Sequence, residues 1–473
     1  MIINPVNSPR KATESQDASP HLRVDERQAE GRKLRGRTPR RSQAGWSSPP
    51  DRRAPMETLA ESNQGRLLEL IPIRFGRMSA SPFAFYRGAA AVMAADLSTT
   101  PVSGLRVQAC GDAHLMNFGG FATPERNIVF DINDLDETLP APFEWDVKRL
   151  ATSMVIAAEH LNQSNSDVRH VVRHTVREYR RKMLDYSGMR VLDIWYDRID
   201  LRKYSDKTGD PEVVADARKR LAGRIELEKR KGSIDHLYPK LVSERGGLAR
   251  IKDDPPLIYH PDSERTPGFE SDCAAAIALY RRSLPGHVRT LFNRFHASDL
   301  AVKVVGVGSV GTMCAVYLFL TADGDPLFLQ IKEARASVLE PYAGKSNYSN
   351  HGQRVVAGQH LMQTASDIFT GWTQVESGRH FYIRQLRDMK ISANLDDWDE
   401  GMLGEYGRMC AHALAHAHAR SGDPAAIAGY MGSSSKFEDA VSEFAIEYCA
   451  QNQSDYRELL AAIKSGSIKA VIE

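Results

Sequence analysis

Gly306-Val307-Gly308-Ser309-Val310-Gly311 constrains this chain most, because three glycines in six residues lie between two runs that read as strands. Ala301 to Val305 precedes them, and Thr312 to Leu320 follows, with Thr312, Val316, Tyr317 and Phe319 favouring extended backbone. Asp323-Gly324-Asp325-Pro326 is a turn, and Leu327 to Lys332 is the next strand. In a dinucleotide-binding unit the third glycine opens a helix, and an acid follows about 20 residues on. Here the glycine loop joins strands instead. Without side chains its backbone N–H groups approach phosphate oxygens, so the expectation is a hairpin folded over phosphates, an ordinary glycine hairpin being the alternative. Alternation sets Leu327, Leu329 and Ile331 on one face and Phe328, Gln330 and Lys332 on the other. Lys332 then leaves the strand toward whatever lies beneath the glycine loop, unless it is a solvated edge lysine. Glu333 points to the opposite face and is not expected to partner it.

A second constellation lies nearly 200 residues earlier. Gly111 to Gly120 is too rich in glycine and polar groups for helix or strand, and carries Asp112 and Asn117 five residues apart. Asp131 follows 14 residues after Asn117, at the end of a strand running from Asn127. A carboxylate, a carboxamide and a second carboxylate converging on one point are hard oxygen ligands that suit Mg²⁺. A capped turn without metal is the competing reading. His114 reads more readily as a packed loop histidine than as a participant. Asp134, Asp136 and Glu137 are extra ligands or turn residues, with turn preferred for the last two.

Gly111-Asp112-x-His114-x-x-Asn117 resembles the catalytic loop of aminoglycoside phosphotransferases and related small-molecule kinases, although Cys110 stands where those proteins carry histidine. Phe130 to Asp134 resembles their metal-binding segment, and Trp145 to Leu150 the helix that follows. The resemblance implies ATP and Mg²⁺ as cofactors, Asp112 as catalytic base, and Asn117 and Asp131 as metal ligands. Gly306, Gly308, Ser309 and Gly311 would then cover the phosphates while Lys332 pairs with them. The order is reversed, because glycine loop and lysine follow the catalytic loop here. Leu414 to Arg420, moreover, resembles the helix normally preceding that loop. A circular permutation accounts for all three placements. The expected fold is therefore α+β and protein-kinase-like, in permuted order. A basic disordered tail spans 1–55 and a helical catalytic lobe 56–290. An antiparallel nucleotide-binding sheet follows at 295–390, and helices at 400–473 return onto the catalytic lobe. Ser81 to Gly88, Gly306 to Thr312 and His418 to Asp423, among other stretches, also resemble an uncharacterised bacterial family, DUF2252, over nearly everything after residue 56.

With 42% hydrophobic residues and 62 Lys+Arg against 60 Asp+Glu in 473 residues, the chain has a globular composition. The longest apolar run, Met313 to Leu320, is too short for a membrane helix, and no apolar stretch opens the chain as a signal peptide would. Cytoplasm is the default expectation, with no membrane partner. Five scattered cysteines without a C-x-x-C pair suit reduced thiols. Basic charge concentrates in residues 1–55, which are expected to be disordered and to bind nucleic acid weakly if at all. His412, His416 and His418 lack a further ligand in register, so helix packing is preferred over zinc. The expected activity is phosphoryl transfer from ATP to a hydroxyl acceptor, a small molecule in the first instance. Its rivals are a nucleotide-binding module without turnover, a nicotinamide-dependent oxidoreductase, which needs residues 311–321 helical, and a metallophosphoesterase, which needs more histidines.

Overall fold

The computed structural model describes residues 22–201 and 203, isolated positions between 215 and 227, and residues 234–245, 248–260, 268–386, 391–392, 395 and 398–472. It is mixed α+β with antiparallel sheets. The helix Phe143–His160 runs through the helical body, and every residue from Phe143 to Ala158 is buried. A helix buried all round needs partners on every side. Lys436–Lys464 and Asn165–Ser187 supply two of them, and Glu400–Ser421 packs across the second. Phe143, Leu150, Met154, Leu403, Leu414 and Phe444 share the resulting core. A four-stranded sheet in the order Ile391–Ser392, Phe118–Ala122, Ile128–Ile132, Ile199–Asp200 lies against this body.

The second layer is a six-stranded antiparallel sheet, ordered Gly371–Gln374, His380–Gln385, Pro326–Ala334, Cys314–Leu320, His296–Lys303, Ile258–Tyr259. Leu327, Leu329 and Ile331 enter one core cluster while Phe328 enters another, as strand alternation requires. His296–Lys303 and Cys314–Leu320 pair antiparallel, so the glycine loop is the tip of a hairpin. Residues 314–320 are strand and not helix, which removes the geometry an oxidoreductase fold needs.

Two boundaries differ from the sequence expectation. The sheet layer begins well before residue 290. Phe269, Cys273, Ala276 and Tyr280 form an apolar stripe on the helix Phe269–Ser283 and pack against the strands. The basic tail is ordered from residue 22 on, while residues 1–21 lie outside the described residues. Val24–Leu34 is a helix crossing Pro424–Met431 so closely that a Cβ on Gly31 would stand 2.0 Å from the Ala426 carbonyl oxygen. Its arginines serve the fold rather than a polyanion. Arg35 and Arg40 donate to the carbonyls of Tyr430 and Met431 at the end of that partner helix, and Arg52 pairs with Asp96 and Asp455. Composition misled here because guanidinia can bond carbonyls and buried carboxylates as readily as phosphate.

Candidate functional site

A cleft of about 680 Å³ separates the helical body from the six-stranded sheet, a size suited to a cofactor-sized ligand. Its floor comes from the 110–117 loop, whose shape is held from below. Asp146 accepts the amide N–H groups of Cys110 and Gly111 at 2.5 and 2.9 Å, and His418 Nε2 lies 3.1 Å from the same carboxylate. Gly111 takes φ +79, and a Cβ there would meet the Glu137 carbonyl oxygen at 2.6 Å. This turn therefore requires glycine.

Asp112 leaves that turn into the cleft with its side chain 22% exposed. Arg149 Nε donates to Asp112 Oδ1 at 2.7 Å, and its Nη2 donates to the same oxygen. The guanidinium is itself buried, over the Tyr86 ring at 4.5 Å. His114 Nε2 stands 3.7 Å from the other Asp112 oxygen. Burial pushes the His114 pKa down to about 3 against the pull of Asp112, so the imidazole is neutral. Asn117 Nδ2 donates to the backbone carbonyls of Asp112 and Asp134 at 3.1 and 2.9 Å. That ties the two acidic loops together through the Nδ2 of a side chain that lines the cleft.

On the opposite wall Lys332 is 2% exposed and sits between two carboxylates, 3.2 Å from Asp134 Oδ2 and in a short ion pair with Asp136. Burial opposes its charge, yet Asp134 and Asp136 outweigh that and hold the ammonium well above the ordinary lysine range. Burial and the neighbouring Asp134 charge raise the Asp136 carboxyl, which also accepts the Tyr382 hydroxyl at 2.6 Å. The glycine loop hangs over this pair, with Gly306, Gly308, Ser309 and Thr312 lining the cleft. It is braced from outside: Arg77 donates to the Gly306 carbonyl, Arg66 to that of Val310, and the Leu67 amide to that of Gly311.

Asp112, Asn117, Gly306, Gly308, Ser309 and Lys332 thus share one cleft, although segments far apart in the chain supply them. Gly311 and Asp131 do not join them. Gly311 turns outward at φ +89 against the Arg66 side chain. Asp131 lies within the strand Ile128–Ile132 opposite Gly119 and is not among the residues that line the cleft. It is 1% exposed, accepts the amides of Ile132 and Thr364 at 2.8 and 2.7 Å, and faces His416. Burial raises its pKa. From this acidic segment the cleft is lined by Asp134, Asp136 and Glu137, just past the strand, where alternation no longer dictates direction. In this structure Asp131 serves as an interior acceptor, apart from the residues that line the cleft.

Sequence reasoning also missed Arg149 and Asp146, which fix the Asp112 loop. A helix turn carrying Asp146, Lys148 and Arg149 on an otherwise core-like helix was the available signal. The three histidines of Glu400–Ser421 have separate partners, Tyr186 for His412, the Ile194 carbonyl for His416, and Tyr179 with Asp146 for His418. Among the described residues no cluster of three His, Cys, Asp or Glu side chains is placed to hold a metal.

Fold and site together define an α+β protein with a polar cleft between a helical body and an antiparallel sheet. A family model described as an uncharacterized protein conserved in bacteria, DUF2252, matches residues 66–462. The chain belongs to that family. No curated protein and no solved structure matches it. No helix among the described residues is long and apolar enough to cross a membrane.

Proposed function

We propose that the protein is an ATP- and Mg²⁺-dependent phosphotransferase of kinase-like architecture in permuted order, acting on a hydroxyl acceptor. One observation carries this reading: a glycine hairpin and a buried lysine on one wall face an aspartate on a tight loop of the other wall, with a second acidic loop between them. Positioning and charge neutralisation dominate phosphoryl transfer, and these residue types supply both.

The donor set fits Mg²⁺. That ion is commonly bound by one or two carboxylates, with substrate phosphates and water completing its shell, so a three-residue cage is unnecessary. Asp134, partly exposed beside Lys332, and the Asn117 amide oxygen would hold it, with Asp136 nearby. When bound, the cation offsets phosphate charge. Glycine-loop amides and Lys332 orient the phosphates, and Arg149 holds Asp112 aimed at the acceptor. In the reaction the acceptor oxygen bonds to the γ-phosphorus, and the bond to the β-phosphate oxygen breaks with its electron pair leaving on ADP. The hydroxyl proton passes to Asp112 and then to solvent. Five free, buried cysteines support a reducing compartment such as the cytoplasm.

Thermal melts with Mg-ATP, Mg-ADP and NADH, combined with an ATP-consumption screen over candidate hydroxyl compounds, test this reading. Stabilisation by Mg-ATP is the expected result, since a ligand that binds only the native state raises its stability. Stabilisation by NADH alone, or by none of the three, overturns it.

A further inference from the structure

One cation of the cleft, Arg87, has no hydrogen-bond or ion-pair partner among the described residues. Arg87 lies near the end of the short helix Pro82–Gly88 and lines the cleft beside Asp112 and His114. Its guanidinium makes no hydrogen bond or ion pair to any described residue, and its Nε is buried without an acceptor. The other arginines on this side are spent. Arg66 bonds the Ser62 and Val310 carbonyls, Arg74 those of Asn63 and Gly88 through side chain and backbone, and Arg335 the Gln64 carbonyl.

Arg87 also marks a particular point between the two walls. Its backbone carbonyl oxygen would stand 3.3 Å from a Cβ on Gly308, so the tip of the glycine loop rests on it. Its side chain is within electrostatic reach of Asp112 and His114. The His114 Nδ1 atom, close by, is likewise buried without a partner. A buried Nε–H without an acceptor calls for an acceptor oxygen, since buried polar groups are as a rule satisfied. Burial lowers its pKa, and Asp112 only partly offsets this. An anion would relieve both deficits.

We infer that Arg87 binds the oxygens of the transferring γ-phosphoryl group, acting in cis as the arginine that neutralises charge between the glycine-loop tip and Asp112. This rests on the phosphotransferase reading and adds a catalytic residue to it. Lys332 and the metal site serve the phosphates at the sheet side, whereas Arg87 meets the group only where it passes from donor to acceptor. As the P–O bond to ADP lengthens and the bond to the acceptor oxygen forms, negative charge spreads over the equatorial oxygens, which a planar guanidinium bonds in pairs.

The test uses the full chain with Mg²⁺ and two probes, ADP and the non-hydrolysable β,γ-imido analogue of ATP. Affinities are measured by calorimetry for wild type, Arg87→Gln and Arg87→Lys. Wild type should prefer the triphosphate analogue, and Arg87→Gln should lose roughly tenfold or more of that preference while binding ADP within about twofold of wild type. Arg87→Lys should recover part of it. Because the side chain bonds nothing in the fold, melting temperatures without ligand should stay close to wild type. Should Arg87→Gln prove poorly folded, the Lys variant carries the comparison, and a further loss of γ-phosphate preference beyond any loss of ADP affinity is the supporting result. An unchanged preference in the folded variants overturns the assignment while leaving the phosphotransferase reading intact. A raised acceptor KM with unchanged nucleotide preference overturns it too and gives the arginine to the acceptor. Failure of both probes to bind wild type removes the nucleotide reading itself, and the role of Arg87 with it.

Discussion

The two ends of the cleft handle charge in opposite ways. At the Lys332 end each charge has an answering one, with Asp134 and Asp136 around the ammonium and Tyr382 donating to Asp136. At the Asp112 end one pair, Asp112 with Arg149, is satisfied, while Arg87 Nε and His114 Nδ1 are buried without partners. A polyanion entering the first end must share Lys332 with two carboxylates, so a divalent cation between the anions is the natural companion. One entering the second end gains bonds and breaks none. The balanced end is built to hold its shape before ligand arrives; the unbalanced end is built to change when it does.

The sharpest way to break this contrast is at Asp112. Asp112→Asn keeps an oxygen for Arg149 but removes the proton acceptor, so turnover should fall about 10²–10⁴-fold in an ATP-consumption assay. Mg-ATP affinity should move little. A variant that keeps the wild-type rate would show that the Asp112 end does no chemistry.

At the balanced end the expected loss is in the fold. Lys332→Ala leaves two adjacent carboxylates without their cation, which should cost roughly 3–5 kcal/mol in urea unfolding. Adding Asp136→Asn should return part of that, because one stranded charge is gone. If the single variant unfolds like wild type, the ion cluster is no structural element, and the supposed contrast between the ends disappears.

Asp131 and Asp134 sharpen the comparison further, being three residues apart yet on opposite sides of the floor. Asp134→Asn should weaken the Mg²⁺ dependence of ATP binding. Asp131→Asn should leave that dependence unchanged and lower stability by roughly 1–3 kcal/mol, since a buried acceptor of two backbone amides is weakened. A Mg²⁺ effect from Asp131→Asn alone would restore it as a ligand and contradict its placement.

What was legible in the sequence follows the same division. The hairpin character of the glycine loop was readable from Thr312, Val316, Tyr317 and Phe319, because β-branched and aromatic residues favour a pleated surface whatever lies around them. The direction of Lys332 followed from a two-residue period within one strand. Asp131 stands on the strand face opposite Ile128, Phe130 and Ile132, which enter the core, and is buried there beside Thr364 and His416, whereas the motif's likeness to a metal segment counts residues without regard to faces. Lys332 lies 198 residues from Asp134, and no local pattern encodes such a pairing. The ordered arginines of residues 23–53 were read as solvated because composition reports charge and not the carbonyls that receive it.

The smallest effect expected is the pH response of the unbalanced end. Burial depresses the His114 pKa to about 3, while the unfolded side chain titrates near 6.5. Between those values the unfolded state binds the extra proton, so the contribution of His114 to stability is complete above about pH 6.5 and declines as pH falls toward 3. From pH 7 to pH 5.5 that decline amounts to about 1 kcal/mol. Other buried histidines and carboxyls titrate over the same range, so the quantity to measure is the difference between wild type and His114→Gln in denaturant unfolding at each pH. Wild type should lose stability faster than the variant as pH drops. An anion bound at Arg87 should shrink the difference, because it would favour the protonated imidazole beside it. Parallel pH profiles for the two proteins would mean that His114 meets solvent in the native state, and the unpartnered end of the cleft would then be neither dry nor poised.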